Sequence, residues 1–459
     1  MRFVDLFAGL GGFRLALKSL GHECVFASEN DEELQRLYDR NFPEAHGTVF
    51  GDIRECKSRV PPHDILCAGF PCQPFSKSGL QNGVLDKTRG TLFHEIIDIV
   101  RRHRPRYVIL ENVGNFERHD AGRTWAVVRE SLQGLAYEVR GTEHIRTGGH
   151  GLISPHHLGY PHTRERFYVV ASRDPLPDDP FPPRDRQRTT RLADLLQSNR
   201  ELSTKDREET SLAEQYVRCI DHWNKLLQRL PDDLPLASFP IWGDEIGATY
   251  PFETTTPFAT TAAELAMSIK GNGVGAGLSK QKLLLLLPSY ARVAQRRFPD
   301  WKVQFLLQNR RWWREVRPCL AASWIKELRL FPASLRKLEW NCQGEERDLW
   351  RYVLQFRPSG LRSKRYSSCP ALVAMTTTQL PVLGPKRRFI TRTEGLRLQG
   401  FPDSHQLPQS RSKAFSALGN AVHVAVVRAI AEIALCPSRT PSSTRQRENK
   451  GASSCHKSR

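Results

Sequence analysis

The first 173 residues alternate short apolar runs with amphipathic stretches, and no other feature of the chain constrains its fold as much. This alternation is typical of βαβ units, in which helices cover both faces of a parallel sheet. We predict strands at residues 3–7, 24–28, 49–50, 64–68, 107–110 and 167–171. We predict helices at residues 12–20, 31–41, 93–102 and 123–135. The expected fold class is α/β, with a Rossmann-like, doubly wound and mostly parallel sheet.

Glycine, cysteine or acidic residues follow the predicted strands at five places. These are Gly9 to Gly12, Glu29, Asp52, Cys72 and Glu111. In an open parallel sheet the carboxyl ends of the strands lie on one rim, and ligands bind there. We therefore expect these five positions to meet on one rim of the sheet.

The segment Gly69-Phe-Pro-Cys-Gln-Pro-Phe-Ser76 follows the fourth predicted strand. Prolines on both sides of Cys72 exclude a helix or a central strand there, so the cysteine is expected on a stiff loop. A thiol held rigidly just beyond a strand is well placed to be a nucleophile. The alternative is a buried structural cysteine, since free cysteines are among the most buried residues.

The segment Asp5-Leu-Phe-Ala-Gly-Leu-Gly-Gly-Phe13 joins the first predicted strand to the first predicted helix. Its glycines let the backbone approach a ligand, although their spacing is not the dinucleotide pattern GxGxxG. Glu29 ends the second strand, where a carboxylate can accept hydrogen bonds from both ribose hydroxyls of an adenosine. Asp52 is placed to accept a hydrogen bond from an adenine amino group. These residues predict a cofactor that contains adenosine.

Charged side chains end or precede two further strands. Glu111 closes an apolar run, and partial burial there would raise its pKa and make it a proton donor. A carboxylate that caps the next helix is the alternative. Arg164 and Arg166 alternate on an extended segment, so both side chains are expected to point the same way and to grip a polar planar group. A surface ladder of salt bridges would explain the same spacing.

The chain has 68 Lys and Arg residues against 49 Asp and Glu residues, a net charge of +19. This excess predicts a polyanionic partner and favours nucleic acid, although a basic, merely solvated surface is the alternative. The ten cysteines form no CxxC pair, which argues against a zinc site. A strand is predicted within three residues of Met1, and no stretch of about twenty apolar residues is apparent. We therefore expect no signal peptide, no membrane span and a reducing, cytoplasmic environment.

The pattern changes after residue 173. Residues 174–190 are rich in Pro, Asp and Arg, as in a linker. Residues 191–378 have an irregular pattern and contain eight of the nine tryptophans among many arginines. These tryptophans could stack on DNA bases or pack in a core. The tail from residue 436 is rich in Ser, Arg and Lys, so we expect it to be disordered.

Seven segments closely resemble the motifs of the DNA (cytosine-5) methyltransferases, in the order that this family has them. They are Phe3–Phe13, Gly69–Ser76, Arg89–Phe93, Glu111–Val113, Arg164–Arg166, Arg392–Pro402 and Gly419–Val422. One departure is His162, where the family usually has Gln. Residues 191–378 match only in place and size, as the family's variable target-recognition region. The layout resembles the enzymes of type II restriction-modification systems.

The resemblance implies a fold and a mechanism. The fold is that of the S-adenosylmethionine-dependent methyltransferases, with a second, irregular target-recognition domain. The Cys72 thiolate would add to C6 of a cytosine flipped out of the duplex. Glu111 would hydrogen-bond at N3, while Arg166, with Arg164, would fix the O2 edge. The C5 atom would then take a methyl group from S-adenosyl-L-methionine, and loss of the C5 proton would release Cys72.

The resemblance also implies binding residues and domains. The expected cofactor-binding residues are Phe7, Gly9, Gly11, Glu29, Asp52, Ile53, Pro71, Leu92, Asn420 and Val422. Gln73 and Ser76 are expected to contact DNA, and no metal is implied. The expected domains are a catalytic and cofactor-binding domain (1–173), a linker and target-recognition domain (174–378), a segment that returns to the catalytic domain (379–435) and a basic tail (436–459).

We therefore expect a monomeric enzyme that methylates cytosine C5 in a specific double-stranded DNA sequence. Because the motifs begin at residue 3, we expect no N-terminal regulatory domain. This layout favours a bacterial, cytoplasmic and nucleoid-associated enzyme, paired with a restriction endonuclease that acts on the same site. Two alternatives stay open: a tRNA cytosine-5 methyltransferase on the same scaffold, and a non-enzymatic DNA-binding protein with a vestigial site.

Overall fold

The computed structural model describes residues 1–45, 47–71, 91–145, 150–184, 189–269, 277–372 and 377–435. Three predicted site residues, Cys72, Gln73 and Ser76, lie outside these ranges, as does the predicted tail at 436–459.

The described residues of the first region (residues 1–173) form eight strands and five α-helices. The strands are β1 (Arg2–Leu6), β2 (Glu23–Ser28), β3 (Val49–Phe50), β4 (Ile65–Gly69), β5 (Tyr107–Val113), β6 (Glu138–Gly141), β7 (His162–Thr163) and β8 (Arg166–Ser172). The helices are α1 (Gly12–Lys18), α2 (Glu32–Asn41), α3 (Ile53–Cys56), α4 (Leu92–His103) and α5 (Arg123–Gln133).

Seven of these strands form one sheet in the order β3-β2-β1-β4-β5-β8-β6. Strands β1 to β5 run parallel, whereas β8 runs antiparallel to both of its neighbours, β5 and β6. The predicted Rossmann-like, mostly parallel α/β fold is therefore confirmed. The strand order reverses between β1 and β4, and open α/β sheets bind ligands at such a reversal.

The sequence did not predict β6 or the direction of β8. Strand β6 has four residues, of which Val139 alone is buried, so it carries no recognisable strand pattern. The direction of β8 follows from its pairing with β5, which is more than fifty residues earlier in the chain. Local sequence patterns contain no information on such a pairing.

The second region, residues 174–389, contains short strands and several helices. The strands are β9 (Ile241–Trp242), β10 (Lys337–Trp340), β11 (Val353–Arg357), β12 (Gly360–Lys364), β13 (Cys369–Pro370), β14 (Val382–Leu383) and β15 (Arg388–Phe389). The helices are α6 (Leu192–Leu195), α7 (Thr204–Thr210), α8 (Glu214–Arg229), α9 (Ala262–Ile269), α10 (Lys280–Leu285), α11 (Asp300–Val316) and α12 (Ala322–Leu328).

Six of these strands form a second sheet in the order β15-β14-β11-β12-β10-β9, while β13 pairs with β7 of the first region. The second region is thus more regular than its sequence pattern predicts. Its strands have only two to five residues, which is too short to show an alternating pattern.

The tryptophans of the second region are mainly core residues. Six of the eight are buried: Trp223, Trp312, Trp313, Trp324, Trp340 and Trp350. Trp242 is half-buried, and Trp301 exposes 69% of its surface. Buried indole rings are not available to stack on DNA bases, so packing explains most of this enrichment.

Three helices complete the described chain: α13 (Arg392–Gln399), α14 (Arg411–Asn420) and α15 (Val424–Ala434). Helix α15 lies against the first sheet, where Val427 and Ile430 share one buried apolar cluster with Phe3 and Ile109. The stretch Arg411–Ala434 has the length and composition of a membrane-spanning segment. Its most apolar window is 72% buried inside the protein, as in a core helix.

A buried ion pair anchors the start of α13. Glu394 is fully buried and accepts hydrogen bonds from the Arg388 guanidinium at 2.6 and 2.8 Å. Its oxygens also accept from the backbone amides of Thr391 and Gln197, both at 2.9 Å. The pair therefore ties the start of the second region to the C-terminal helices.

Glu394→Gln is expected to lower the free energy of unfolding by about 3 kcal/mol, because it leaves Arg388 as a buried cation without its counter-ion. The control is Asp403→Asn, which removes the 52% exposed partner of Arg397. We expect Asp403→Asn to lower the free energy of unfolding by less than about 1 kcal/mol. Urea unfolding followed by circular dichroism measures both changes, and equal losses would contradict the anchoring role of Glu394.

Asp5 is a second buried carboxyl group, within β1. It is fully buried, and the Tyr38 hydroxyl donates to its Oδ2 atom at 3.3 Å. Burial raises the pKa of Asp5 to about 8, although the nearby Arg14 cation opposes this shift. The folded protein therefore holds Asp5 in its protonated form at neutral pH.

This raised pKa predicts a pH-dependent stability. Unfolded Asp5 ionises near pH 3.8 and folded Asp5 near pH 8, so its stabilising contribution is complete below pH 3.8 and is lost as the pH rises through 8. Asp5→Asn cannot ionise. Its free energy of unfolding should therefore rise relative to that of the wild type between pH 3.8 and pH 8. Denaturant unfolding across this range measures the difference, and parallel pH profiles would refute the prediction.

Candidate active site

A cavity of about 580 Å³ opens at the carboxyl ends of β1, β2, β4 and β5. Cavities of roughly 300–1,000 Å³ are typical of sites for small ligands. One wall comes from the C-terminal part of the chain, between Ala417 and Val422. The predicted site residues that line this cavity are Phe7, Gly9, Glu29, Asp52, Ile53, Pro71, Leu92, Glu111, Arg164, Arg166, Asn420 and Val422.

The turn after β1 forms one edge of the cavity and is tightly bent. Gly9 and Gly11 have φ angles of 53° and 77°, and Phe7 has a φ of 58°, which is uncommon for a residue with a side chain. Gly11 was predicted to bind the cofactor, but it does not line the cavity. It is the N-cap of α1, and a side chain there would overlap the Phe42 ring. Gly11 therefore permits the turn instead of contacting a ligand in this cavity.

Glu29 fixes the position of this turn. Its carboxylate accepts hydrogen bonds from the amide of Gly9 at 2.9 Å and from the amide of Asp31 at 3.0 Å. A carboxylate oxygen can accept more than one hydrogen bond, so acceptor capacity remains toward the cavity. Glu29 can thus hold the turn and bind a hydroxyl-bearing ligand at the same time.

Asp52 lies across the cavity at the start of α3. Its carboxylate accepts from the backbone amide of Arg54 at 2.9 Å and forms an ion pair with the Arg54 side chain. The hydrogen bonds from Arg54 lower the pKa of Asp52, so the carboxylate is ionised and acts only as an acceptor. The buried Ile53 side chain adds an apolar surface beside it.

The C-terminal wall comes very close to the start of α1. A Cβ atom on Gly12 would lie 2.7 Å from Val422 Cγ2 and 2.9 Å from the Val422 carbonyl oxygen. Only glycine permits this approach, which places Val422 and the exposed Asn420 beside the turn after β1.

Glu111 lies at the other end of the cavity, near the end of β5. It pairs with Gly69 of β4 and exposes 6% of its surface. The Arg166 Nε atom lies 3.1 Å from its carboxylate. Burial raises the pKa of Glu111, and the positive charges of Arg166 and Arg164 act against this shift. Such a carboxyl group can exchange a proton with a bound polar ring.

Arg164 and Arg166 both line the cavity, but they have different partners. Arg166 pairs with Glu111, whereas Arg164 is 98% buried and donates from Nη2 to the carbonyl oxygen of Ala421 at 2.7 Å. Burial and the neighbouring Arg166 lower the pKa of Arg164 to about 9. Both side chains therefore border the cavity, but the C-terminal wall holds Arg164 whereas Arg166 faces Glu111.

Asn112 was not among the predicted site residues, although it lies between Glu111 and Val113. Its buried Nδ2 atom donates to the carbonyl oxygen of Phe70 at 2.9 Å. Phe70 leads into Pro71, which lines the same cavity as Glu111. Asn112 thus fixes the chain immediately before Pro71. Its place in the segment Glu111–Val113, which resembles a family motif, was the signal that could have indicated it.

His162 lies behind the cavity and does not line it. It is fully buried in β7, and its ring lies 6.1 Å from the ring of His423. Burial and His423 hold the pKa of His162 well below its usual range, so the imidazole is neutral. Among the residues that the structure describes, no cluster of His, Cys, Asp and Glu side chains could hold a metal ion.

Comparison with known proteins identifies the family. The model of the C-5 cytosine-specific DNA methylases matches residues 1–251 and 329–435. The chain is 34% identical to the type II methyltransferase M.AluI of Cellulosimicrobium cellulans, over 93% of this chain and 90% of that protein. It is 44% identical to M.HhaI of Haemophilus parahaemolyticus, over 43% of this chain and 57% of that protein.

Among solved structures, the S. pombe Dnmt2 methyltransferase is 16% identical, with a TM-score of 0.45 over 94% of this chain and 98% of that chain. The family model and the similarity to M.AluI together settle the assignment. The chain belongs to the C-5 cytosine-specific DNA methylase family, and it is an enzyme that methylates cytosine C5 in DNA.

Proposed function

We propose that the methyl donor is S-adenosyl-L-methionine and that methylation proceeds through a covalent bond between Cys72 Sγ and C6 of a flipped-out cytosine. The observation that carries this proposal is the sharing of one cavity. The turn after β1 and Glu29 lie at one end, and the Glu111–Arg166 pair lies at the other. Pro71, the residue before Cys72, lines the same cavity. A methyl donor and a target cytosine bound in this cavity would therefore lie next to each other.

The cavity wall fits S-adenosyl-L-methionine in its chemistry. Two acidic groups, Glu29 and Asp52, provide acceptors for ribose hydroxyls and an adenine amino group, while Phe7, Ile53 and Val422 provide apolar surfaces. When bound, this donor supplies an electrophilic methyl group. The residues proposed to hold it are Phe7, Gly9, Glu29, Asp52, Ile53, Pro71, Leu92, Asn420 and Val422.

Glu111 and Arg166 would activate the target base. Burial favours the protonated form of Glu111, which can donate a hydrogen bond to N3 of cytosine and draw electron density from the ring. Arg166 would bind the O2 edge with its guanidinium group. The Cys72 sulfur would then form a bond with C6, and C5 would take the methyl group from the donor, which would leave as S-adenosyl-L-homocysteine. Loss of the C5 proton to water would restore the C5–C6 double bond and release the Cys72 thiolate.

Cys72 needs activation, since a free thiol with a pKa near 8.5 is only a few per cent ionised at pH 7. We expect the cations of Arg164 and Arg166, which line the cavity, to favour the thiolate form of Cys72. Arg164 has a second role in this proposal, because its hydrogen bond to Ala421 holds the C-terminal wall in place. Gln73 and Ser76 would contact DNA beside the flipped base.

We further propose that the substrate is a specific sequence in double-stranded DNA. The net charge of +19 supports a polyanionic substrate, and the similarity to type II methyltransferases supports a partner restriction endonuclease for the same site. The proposed division is 1–173 for catalysis, 174–378 for target recognition, 379–435 for the returning segment and 436–459 for a basic tail. The proposed setting is a monomer in the bacterial cytoplasm, at the nucleoid.

A covalent complex with DNA tests the central proposal. In 5-fluorocytosine the fluorine at C5 cannot leave as a proton does, so the enzyme should stay bound to DNA in the presence of S-adenosyl-L-methionine. We expect a denaturant-resistant band with a random-sequence duplex that contains 5-fluorocytosine. The band should be absent for Cys72→Ser and present for Cys319→Ser, a half-buried control. A band with Cys72→Ser would overturn the proposed nucleophile, and labelling of tRNA but not DNA would overturn the proposed substrate.

Glu111→Gln is expected to slow methylation by roughly 10²-fold or more, because it removes the proposed proton donor at N3. The matched control is Glu165→Gln, at an exposed position on the segment between Arg164 and Arg166. We expect the control to keep a rate close to that of the wild type. Incorporation of a labelled methyl group into total DNA measures both rates. A Glu111→Gln enzyme as fast as its control would remove Glu111 from the mechanism.

A further inference from the structure

The turn after β1 is held from a distant part of the chain as well as by Glu29. The carbonyl oxygen of Leu10 accepts a hydrogen bond from His405 Nε2 at 2.9 Å. His405 follows α13 and is separated from Leu10 by 395 residues. It exposes 6% of its surface. The hydrogen bond is therefore shielded from water and joins the C-terminal segment to the edge of the cavity.

The surroundings of His405 fix its ring in this position. Its imidazole packs against the rings of Phe401 and Phe42, with centroids 4.8 and 5.8 Å away. The next residue, Gln406, exchanges two hydrogen bonds with the Asn41 side chain, at 2.7 and 3.0 Å. Burial lowers the pKa of His405 to about 4, so at neutral pH the ring is uncharged and can donate from Nε2.

The turn needs such support, because its backbone is strained. Phe7 has a φ of 58°, and a residue with a side chain stays in this region only when its surroundings enforce it. Glu29 holds the amide of Gly9, and His405 holds the carbonyl oxygen of Leu10 one residue later. The Leu10 side chain is also buried, in an apolar cluster that contains Phe401 and Phe415.

We propose that His405 is a positioning residue for the cofactor site, and that its hydrogen bond to Leu10 sets the affinity for S-adenosyl-L-methionine. This inference rests on the proposed function, since it takes the turn after β1 to be part of the cofactor site. His405 does not line the cavity, so it acts through Leu10. Loss of its hydrogen bond would release the turn toward a less strained backbone and displace Gly9 from its position.

The test compares His405→Phe, which keeps an aromatic ring but removes the donor, with His405→Gln, which keeps a side-chain donor. Isothermal titration of the full-length protein with S-adenosyl-L-methionine gives the Kd. We expect His405→Phe to raise the Kd about tenfold, the scale of one buried acceptor left without a partner. His405→Gln should recover most of this loss. The kcat at saturating donor should stay close to that of the wild type.

A control separates this effect from a general loosening of the contact. Lys413→Gln breaks the exposed ion pair with Glu33, which also joins the C-terminal segment to α2, and it should leave the Kd unchanged. Hydrogen–deuterium exchange of the protein without ligand gives a second measurement. Peptides that cover residues 7–12 should exchange faster in His405→Phe, whereas peptides of β4 and β5 should not.

Each outcome has one interpretation. A His405→Phe protein with the Kd and the exchange of the wild type would overturn the proposed role of His405. An equal rise in Kd for His405→Phe, His405→Gln and Lys413→Gln would also overturn the proposed role. The weaker binding would then come from looser packing of the C-terminal segment and not from the lost hydrogen bond. A wild-type protein that fails to bind S-adenosyl-L-methionine would instead contradict the proposed cofactor.

Discussion

The active-site cavity depends on the contact between the start of α1 and the C-terminal segment. Gly12 has no side chain, and this absence lets Val422 approach to a distance that no other residue would permit. The hydrogen bond from Arg164 to Ala421 holds the approaching segment from the other side. The C-terminal segment therefore forms a wall of the cavity at the carboxyl ends of the parallel strands. Without this contact, the turn after β1 and Glu111 would face solvent instead of a shared enclosure.

Within that enclosure, burial and charge act on Glu111 in opposite directions. Burial favours the neutral acid, whereas Arg166 and Arg164 favour the carboxylate. A buried carboxyl group without a nearby cation would stay protonated at neutral pH, whereas an exposed carboxyl group paired with a cation would be ionised. The arrangement at Glu111 lies between these limits, so the proton can be shared with a bound base at little cost. The two arginines also have different partners, since Arg166 faces the Glu111 carboxylate and Arg164 donates to the carbonyl oxygen of Ala421.

The sequence predicts those parts of the molecule that depend on local pattern. Alternating apolar runs predict the parallel strands, and the residues that follow them predict where Glu29, Asp52 and Glu111 lie. The antiparallel course of β8, the short strands of the second sheet and the contact of Arg164 with Ala421 follow from pairings between distant segments. His405 was missed for the same reason, because its partner is a backbone carbonyl 395 residues away. Such contacts carry no signature in neighbouring residues.

The position of α15 also has a consequence for biosynthesis. This helix covers Phe3 and Ile109 on one face of the first sheet, although it lies more than 400 residues after β1 in the chain. At translation speeds of about 5–20 residues per second, roughly 20 to 80 s separate the emergence of the first strand from that of its cover. During this interval the apolar side chains on that face of the sheet lack the cover of α15. We therefore expect a chain truncated before α15 to expose this apolar face, to bind chaperones or be degraded by proteases, and to lack activity.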